Sequence, residues 1–202
     1  DRLMSRGLGD VYKRQMCDDL RPKYDDEMIE KWIEGKTGFP FLDACMKFLQ
    51  TNGWINFRMR AMIMSFASYN MWQPWQRTSP LLAKLFTDYE PGIHISQVQM
   101  QSGVTGINLP RIYSVTKQSM DQDPNAEWIK CLIPELIKLD PKAIHDANLN
   151  GFYIPKIVDL KASAKFARDQ VWSMRKNKAF KNEAKLVYLK HGSRRKRNIK
   201  TN

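Results

Sequence analysis

Apolar side chains in this chain recur at three- and four-residue intervals and almost nowhere alternate, which restricts the fold to packed helices. Phe41, Leu42, Cys45, Phe48 and Leu49 mark one helical face, stopped by Asn52-Gly53. Ile55 to Trp72 reads as a long apolar helix rich in Met and Ala, ended by Pro74. Asp25 to Trp32 is a short acidic helix closed by the Gly35/Gly38/Pro40 cluster. Ser79-Pro80 reads as an N-cap with proline at the first helical position, opening a helix to about Phe86. Residues 88–126 hold six Pro and Gly residues and little sustained periodicity beyond 95–101, so they read as a long ordered loop. Helix resumes from Asn125 to Ile133 and again, strongly basic, from Ser163 to about Leu189, with a disordered Arg/Lys tail after Gly192. The expected class is all-α.

Charge is distributed unevenly. The net charge is +12, and residues 156–202 alone carry 15 Lys and Arg against 3 Asp and Glu. Such a block either attracts a polyanion, nucleic acid above all, or forms a solvated helix and tail. Cys17, Cys45 and Cys131 are odd in number and far apart, with no C-x-x-C or Cys/His ligand spacing. That pattern argues against zinc and disulfide scaffolds, and no metal site is expected. No apolar run reaches the roughly 20 residues that span a bilayer. The expectation is a cytoplasmic monomer with no membrane contact.

Two segments carry the chemistry. Trp54-Ile55-Asn56-Phe57-Arg58-Met59-Arg60 places aromatic, amide and guanidinium groups at a helix start. Thr87-Asp88-Tyr89-Glu90-Pro91-Gly92-Ile93-His94 places two carboxylates and an imidazole in a Pro/Gly loop. Arg58 and Arg60 project about 200° apart on a helix, so one faces inward and the other outward. An inward arginine needs a carboxylate, and Asp88 or Glu90 is the nearest in sequence. Two readings stand: a buried clamp between helices, or the polar edge of a site for a planar anionic ring. Trp54 and Phe57 are likewise either core residues or walls of such a site. His94, set in a loop, favours function.

Trp32-x-x-Gly35-Lys36-Thr37-Gly38-Phe39-Pro40-Phe41-Leu42-Asp43-Ala44-Cys45-Met46 resembles the W-x-x-G-x-T-G-x-P-x-x-D-A-x-M signature of the cryptochrome/DNA photolyase family. Gly53-Trp54, Arg58-Met59-Arg60, Trp75, Leu85 to Glu90, Pro134-Glu135-Leu136, Tyr153-x-Pro155 and Ile157-Val158 continue it. Lys190 to Arg194 is similar to the C-terminal end of one branch. The resemblance implies a helical bundle forming the second half of an FAD-binding domain over residues 16–160. A basic helix and tail follow over 161–202. Asp1 to Gln15 resembles a translated sequencing-adapter tract and is set aside as non-native.

By position, the resemblance implies catalytic roles for Arg60, Asp88 and His94. Arg60 and Asp88 would be a salt-bridged pair at the flavin N5/C4 edge, Glu90 would meet the N3 side, and His94 would face N5. Trp54 and Phe57 would join these in holding FAD. Arg58 would hold a lesion phosphate and Met100 would pack against a flipped base of damaged DNA. Val98-Gln99-Met100 stands where members carry W-Q-W, so an electron relay is broken at Val98. Phe57 replaces an Asn, and Ser114-Val115 and Cys131 replace Asn-Pro and Trp. The diphosphate-binding segment and a domain holding an antenna chromophore are expected upstream. The implied activity is light-driven repair of pyrimidine dimers; a cryptochrome-like photoreceptor and a flavin-free nucleic-acid-binding module are the alternatives.

Overall fold

The computed structural model describes residues 20–105, 111–149, 151–177 and 180–182. Its elements are α1 (Asp26–Ile33), α2 (Pro40–Asn52), α3 (Phe57–Ser65), α4 (Trp75–Ala83), α5 (Pro91–Ser102), α6 (Val115–Gln122), α7 (Glu127–Leu132), α8 (Pro141–His145) and α9 (Leu160–Lys176). A π-helical turn, Phe66–Asn70, extends α3, and a 3₁₀ turn, Pro134–Leu136, follows α7. No strand occurs among the described residues, and the all-α expectation holds.

Side-chain caps set most helix starts. Asp25, Asn56, Glu90, Ser114, Asp140 and Asp159 each accept a backbone N–H from the first turn of α1, α3, α5, α6, α8 and α9. Helix α2 instead begins on Pro40, whose missing donor is harmless there, and stops at Gly53 with φ +69°. Nearly every residue from Pro40 to Met46 is buried, because α1, α3, α6, α7 and α8 all pack around α2. Trp32, Phe41, Leu42, Met46, Leu49, Met62, Ile63 and Phe66 form the centre. Burial of each contributes about 1.5–3 kcal/mol.

Four local expectations are corrected. The apolar run from Ile55 is not one α-helix: at Phe66 it widens into a π turn, with Met71 N–H bonded five residues back to Phe66 O at 3.0 Å. Pro80 lies inside α4 rather than opening it, because the helix already starts at Trp75. Residues 88–126 are not one long loop but carry α5 and α6, with Glu90 and Ser114 supplying the caps. His94 therefore sits on a helix, one turn past its cap, not in a loop. The basic terminal helix begins earlier than expected, at Leu160, and ends at Lys176, where Asn177 leaves helical geometry; the residues of the expected helix beyond 182 and the tail lie outside the described residues, as do Cys17 and the adapter-like segment. No described helix is long and apolar enough to cross a membrane.

Candidate functional site

Gly53 positions the site. Its left-handed φ lets the chain turn out of α2, and a Cβ there would collide with Thr87 Cγ2. The Gly53 carbonyl accepts both the Thr87 N–H (2.9 Å) and the Thr87 hydroxyl (3.2 Å). These bonds lash the 86–90 segment onto the start of α3. Asp88 thereby meets Arg60, with Nη2 donating to Oδ2 at 2.9 Å, while Arg60 Nε donates to Ile55 O at 2.7 Å.

The guanidinium also lies over the Phe86 ring at 4.3 Å and near that of Trp54 at 5.8 Å. Side-chain exposures of 27% for Arg60 and 48% for Asp88 make the pair a half-open edge rather than a buried clamp. The guanidinium holds the Asp88 carboxyl below the usual carboxylate range.

The pair edges a pocket between α3, α4 and α5, lined by Ala61, Met64, Leu82, Phe86 and Val98 as apolar wall. Its volume is 110 Å³. That is room for several waters or for one edge of a ring system. His94, Gln97, Val98 and Gln101 of α5 all line it, one and two turns apart on a single helical face. Gln97 presents a buried side-chain oxygen with no hydrogen-bond partner.

His94 Nε2 lies 3.0 Å from Ser79 Oγ and 3.1 Å from Ser79 O. These contacts fix the ring against α4, and no described residue bonds Nδ1. Burial, with Arg60 adding, holds the imidazole below its ordinary pKa against the opposing pull of the Ser79 carbonyl. The neutral form of the imidazole is thereby favoured. Phe86 and Tyr89 meet its ring edge-on, at centroid distances of 5.9 and 5.3 Å.

The expected site residues divide into two groups. Arg60, Asp88, Glu90, His94 and Phe57 all line this pocket. Phe57 and Trp54 are 56% and 51% exposed, so neither is core; Trp54 stands behind the guanidinium, off the pocket wall. Glu90 already has a task, since its Oε2 accepts the Ile93 N–H at 2.6 Å. Arg58 is exposed, on the opposite side of α3 from Arg60. Met100 is half-buried and is not brought to the pocket, because it lies two residues beyond Val98 and so about 200° around α5. Gln97, Gln101 and Tyr89 had no role in the sequence reading, and Ser79 was read there only as a helix cap. Only the spacing 94, 97, 98, 101 could have signalled the first two.

A slot with apolar walls, one polar edge and an orphaned acceptor fits a planar heterocycle with ring N–H groups. The comparisons agree. Residues 6–173 match the family model described as the FAD binding domain of DNA photolyase. The chain is 30% identical over 130 residues to the deoxyribodipyrimidine photo-lyase of Alkalihalophilus pseudofirmus, a match covering 63% of this chain and 27% of that protein. It is 30% identical over 129 residues to the cryptochrome DASH of Gloeobacter violaceus, covering 63% of this chain and 26% of the relative. Its fold superimposes on the crystal structure of the archaeal photolyase from Sulfolobus tokodaii, which holds two FAD molecules. The TM-score is 0.75 at 25% identity, over 81% of this chain and 40% of that one.

Helices, pocket and comparisons together define a flavin-binding helical domain. The chain belongs to the photolyase/cryptochrome family, and it spans about a quarter of the length of the curated relatives it matches.

Proposed function

We propose that the chain belongs to a light-dependent flavoprotein that splits pyrimidine dimers in DNA by electron transfer from reduced FAD. The observation carrying this reading is the Arg60–Asp88 pair, closing an apolar slot beside His94. FAD, when bound, supplies a photoexcitable electron donor. Arg60 supplies a permanent positive charge at the slot's edge: it stabilises negative charge on a reduced ring and cannot give that ring a proton. Asp88 holds the guanidinium in place. His94, pinned through Nε2, keeps Nδ1 for the ring, and the Gln97 oxygen is an acceptor for a ring N–H.

Arg58 is free on the surface to take a DNA phosphate, and the basic region from Lys156 onward adds sequence-independent affinity that falls steeply with salt. We assign Met100 no base-stacking role. An antenna chromophore, if used, would be held by a domain outside this chain, and we take the working protein to be a cytoplasmic monomer.

The purified full-length protein should retain FAD and lower the dimer content of irradiated DNA in blue light but not in darkness; residues 1–202 alone, without the upstream half of the seat, should be inactive. FAD retention without light-dependent dimer loss would favour the second reading, a cryptochrome-like photoreceptor. Val98, where the relay is broken, and His94, both lining the pocket, are the features that lean toward that alternative. Full-length protein that takes up no flavin would leave only a helical nucleic-acid-binding module.

A further inference from the structure

The flavin slot has a conspicuous shortage of oxidisable rings. Among its described lining residues, Phe57 and Phe86 are benzene rings, which resist one-electron oxidation, and Val98 is aliphatic. Tyr89 is the exception. It lines the slot, meets His94 edge-on at 5.3 Å, and is 43% exposed. It also lines a second, open groove on its other side, shared with Trp75, Ser79 and Lys84. One residue therefore reaches both the ring's seat and solvent.

Resting on the flavin reading above, we propose that Tyr89 is the residue through which electrons enter the bound flavin under light. One electron leaves the Tyr89 phenol for the photoexcited flavin, and the phenolic proton goes to water. The protein is left with a neutral tyrosyl radical and the flavin is one electron richer. A thiol from solution, reaching Tyr89 through the outer groove, returns a hydrogen atom and becomes a thiyl radical. Proton loss is what suits a tyrosine to this place. Trp75 shares the outer groove but does not line the slot, and Trp54 would become a cation 5.8 Å from the Arg60 guanidinium, where like charge opposes it. A neutral tyrosyl meets no such repulsion, and a residue 43% exposed has solvent at hand to take the proton.

The test uses the full-length protein, upstream segment included, loaded with FAD and illuminated with a thiol, read by electron paramagnetic resonance and by the loss of oxidised-flavin absorbance. Wild type should show a tyrosyl signal that narrows with ring-deuterated tyrosine. Tyr89→Phe should lose that signal and photoreduce slowly, while Trp172→Phe, on the far helix α9, should match wild type. Tyr89→Trp should restore photoreduction with a tryptophanyl signal in place of the tyrosyl one. Flavin-loaded Tyr89→Phe that photoreduces as wild type overturns the relay and leaves the flavin reading standing. A full-length wild-type protein that takes up no flavin overturns both.

Discussion

Asp43→Asn tests whether a buried carboxylate organises the frame around the flavin slot. Asp43 is fully buried in α2 and accepts four hydrogen bonds: from Thr37 N–H (2.8 Å), Thr37 Oγ1 (2.6 Å), Gly38 N–H (3.0 Å) and Tyr153 OH (3.0 Å). Burial pushes its carboxyl above the usual range, opposed by the Thr37, Tyr153 and Gly38 donors. The Tyr153 phenol is pushed up by its own burial and by the adjacent Asp43 charge.

An asparagine that keeps its oxygen toward Thr37 retains two bonds, now neutral and each weaker by about 1 kcal/mol. Its amide then faces the Gly38 N–H, leaving a buried donor unpaired at about 1–3 kcal/mol. Tyr153 can rotate to accept, and the relief of burying a neutral group offsets part of the loss. The net is about 2–4 kcal/mol, which lowers the melting temperature by roughly 5–15 °C in a chain of this size. Thermal unfolding followed by circular dichroism measures it, and a double-mutant cycle with Tyr153→Phe isolates the link to the 151–157 segment. A loss below about 1 kcal/mol, or additive single and double variants, would refute the account of Asp43 as a satisfied hub.

Other perturbations separate seat from scaffold. Arg60→Ala removes a half-exposed ion pair worth about 0.2–1 kcal/mol, so the fold should survive while flavin retention collapses; a yellow variant with normal flavin absorbance would remove Arg60 from the seat. Gly53→Ala forces a left-handed residue costing about 1–2 kcal/mol and drives Thr87 away, so it should weaken flavin binding with Arg60 and Asp88 both intact. Titrating purified Gly53→Ala with FAD checks this, and wild-type affinity would sink it.

His94 has a folded-state pKa below its unfolded value, so the unfolded chain binds the proton first as pH falls. Its contribution is intact above the unfolded value near 6.5 and is lost as pH falls below that toward the folded pKa. Urea denaturation between pH 7.5 and 5 should therefore show a decline that His94→Asn flattens; parallel curves would refute it.

What the sequence made legible was local. Pro40 and Gly53 bracket α2 because both act through their own backbone, and the Trp32–Met46 signature needs no distant partner to be read. The π turn at Phe66 was not legible, since its widening depends on packing against α9 and on Ser68 and Ser102, which Arg21 holds through their carbonyls from outside the periodic run. Pro80 misled because Ser-Pro has the chemistry of a helix start, whereas Ser79 is occupied with His94. The Arg60–Asp88 pair was foreseeable from charge and resemblance. Gln97, Ser79 and Tyr89 acquire their roles only when α4 and α5 lie side by side, a tertiary fact that no single helix records.

The geometry of α5 separates two properties that residue types alone leave mixed. His94, Gln97, Val98 and Gln101 share the face that walls the slot, so a β-branched residue at 98 still packs there, 4% exposed, and keeps the seat closed. Losing an aromatic at that position removes a route for electrons without opening the pocket. The polar edge set by Gly53, Thr87, Asp88 and Arg60 is built on different elements and does not depend on residue 98. Seat and supply are thus held by independent contacts. A replacement donor has to come from the mouth of the slot, where Tyr89 stands between His94 and water.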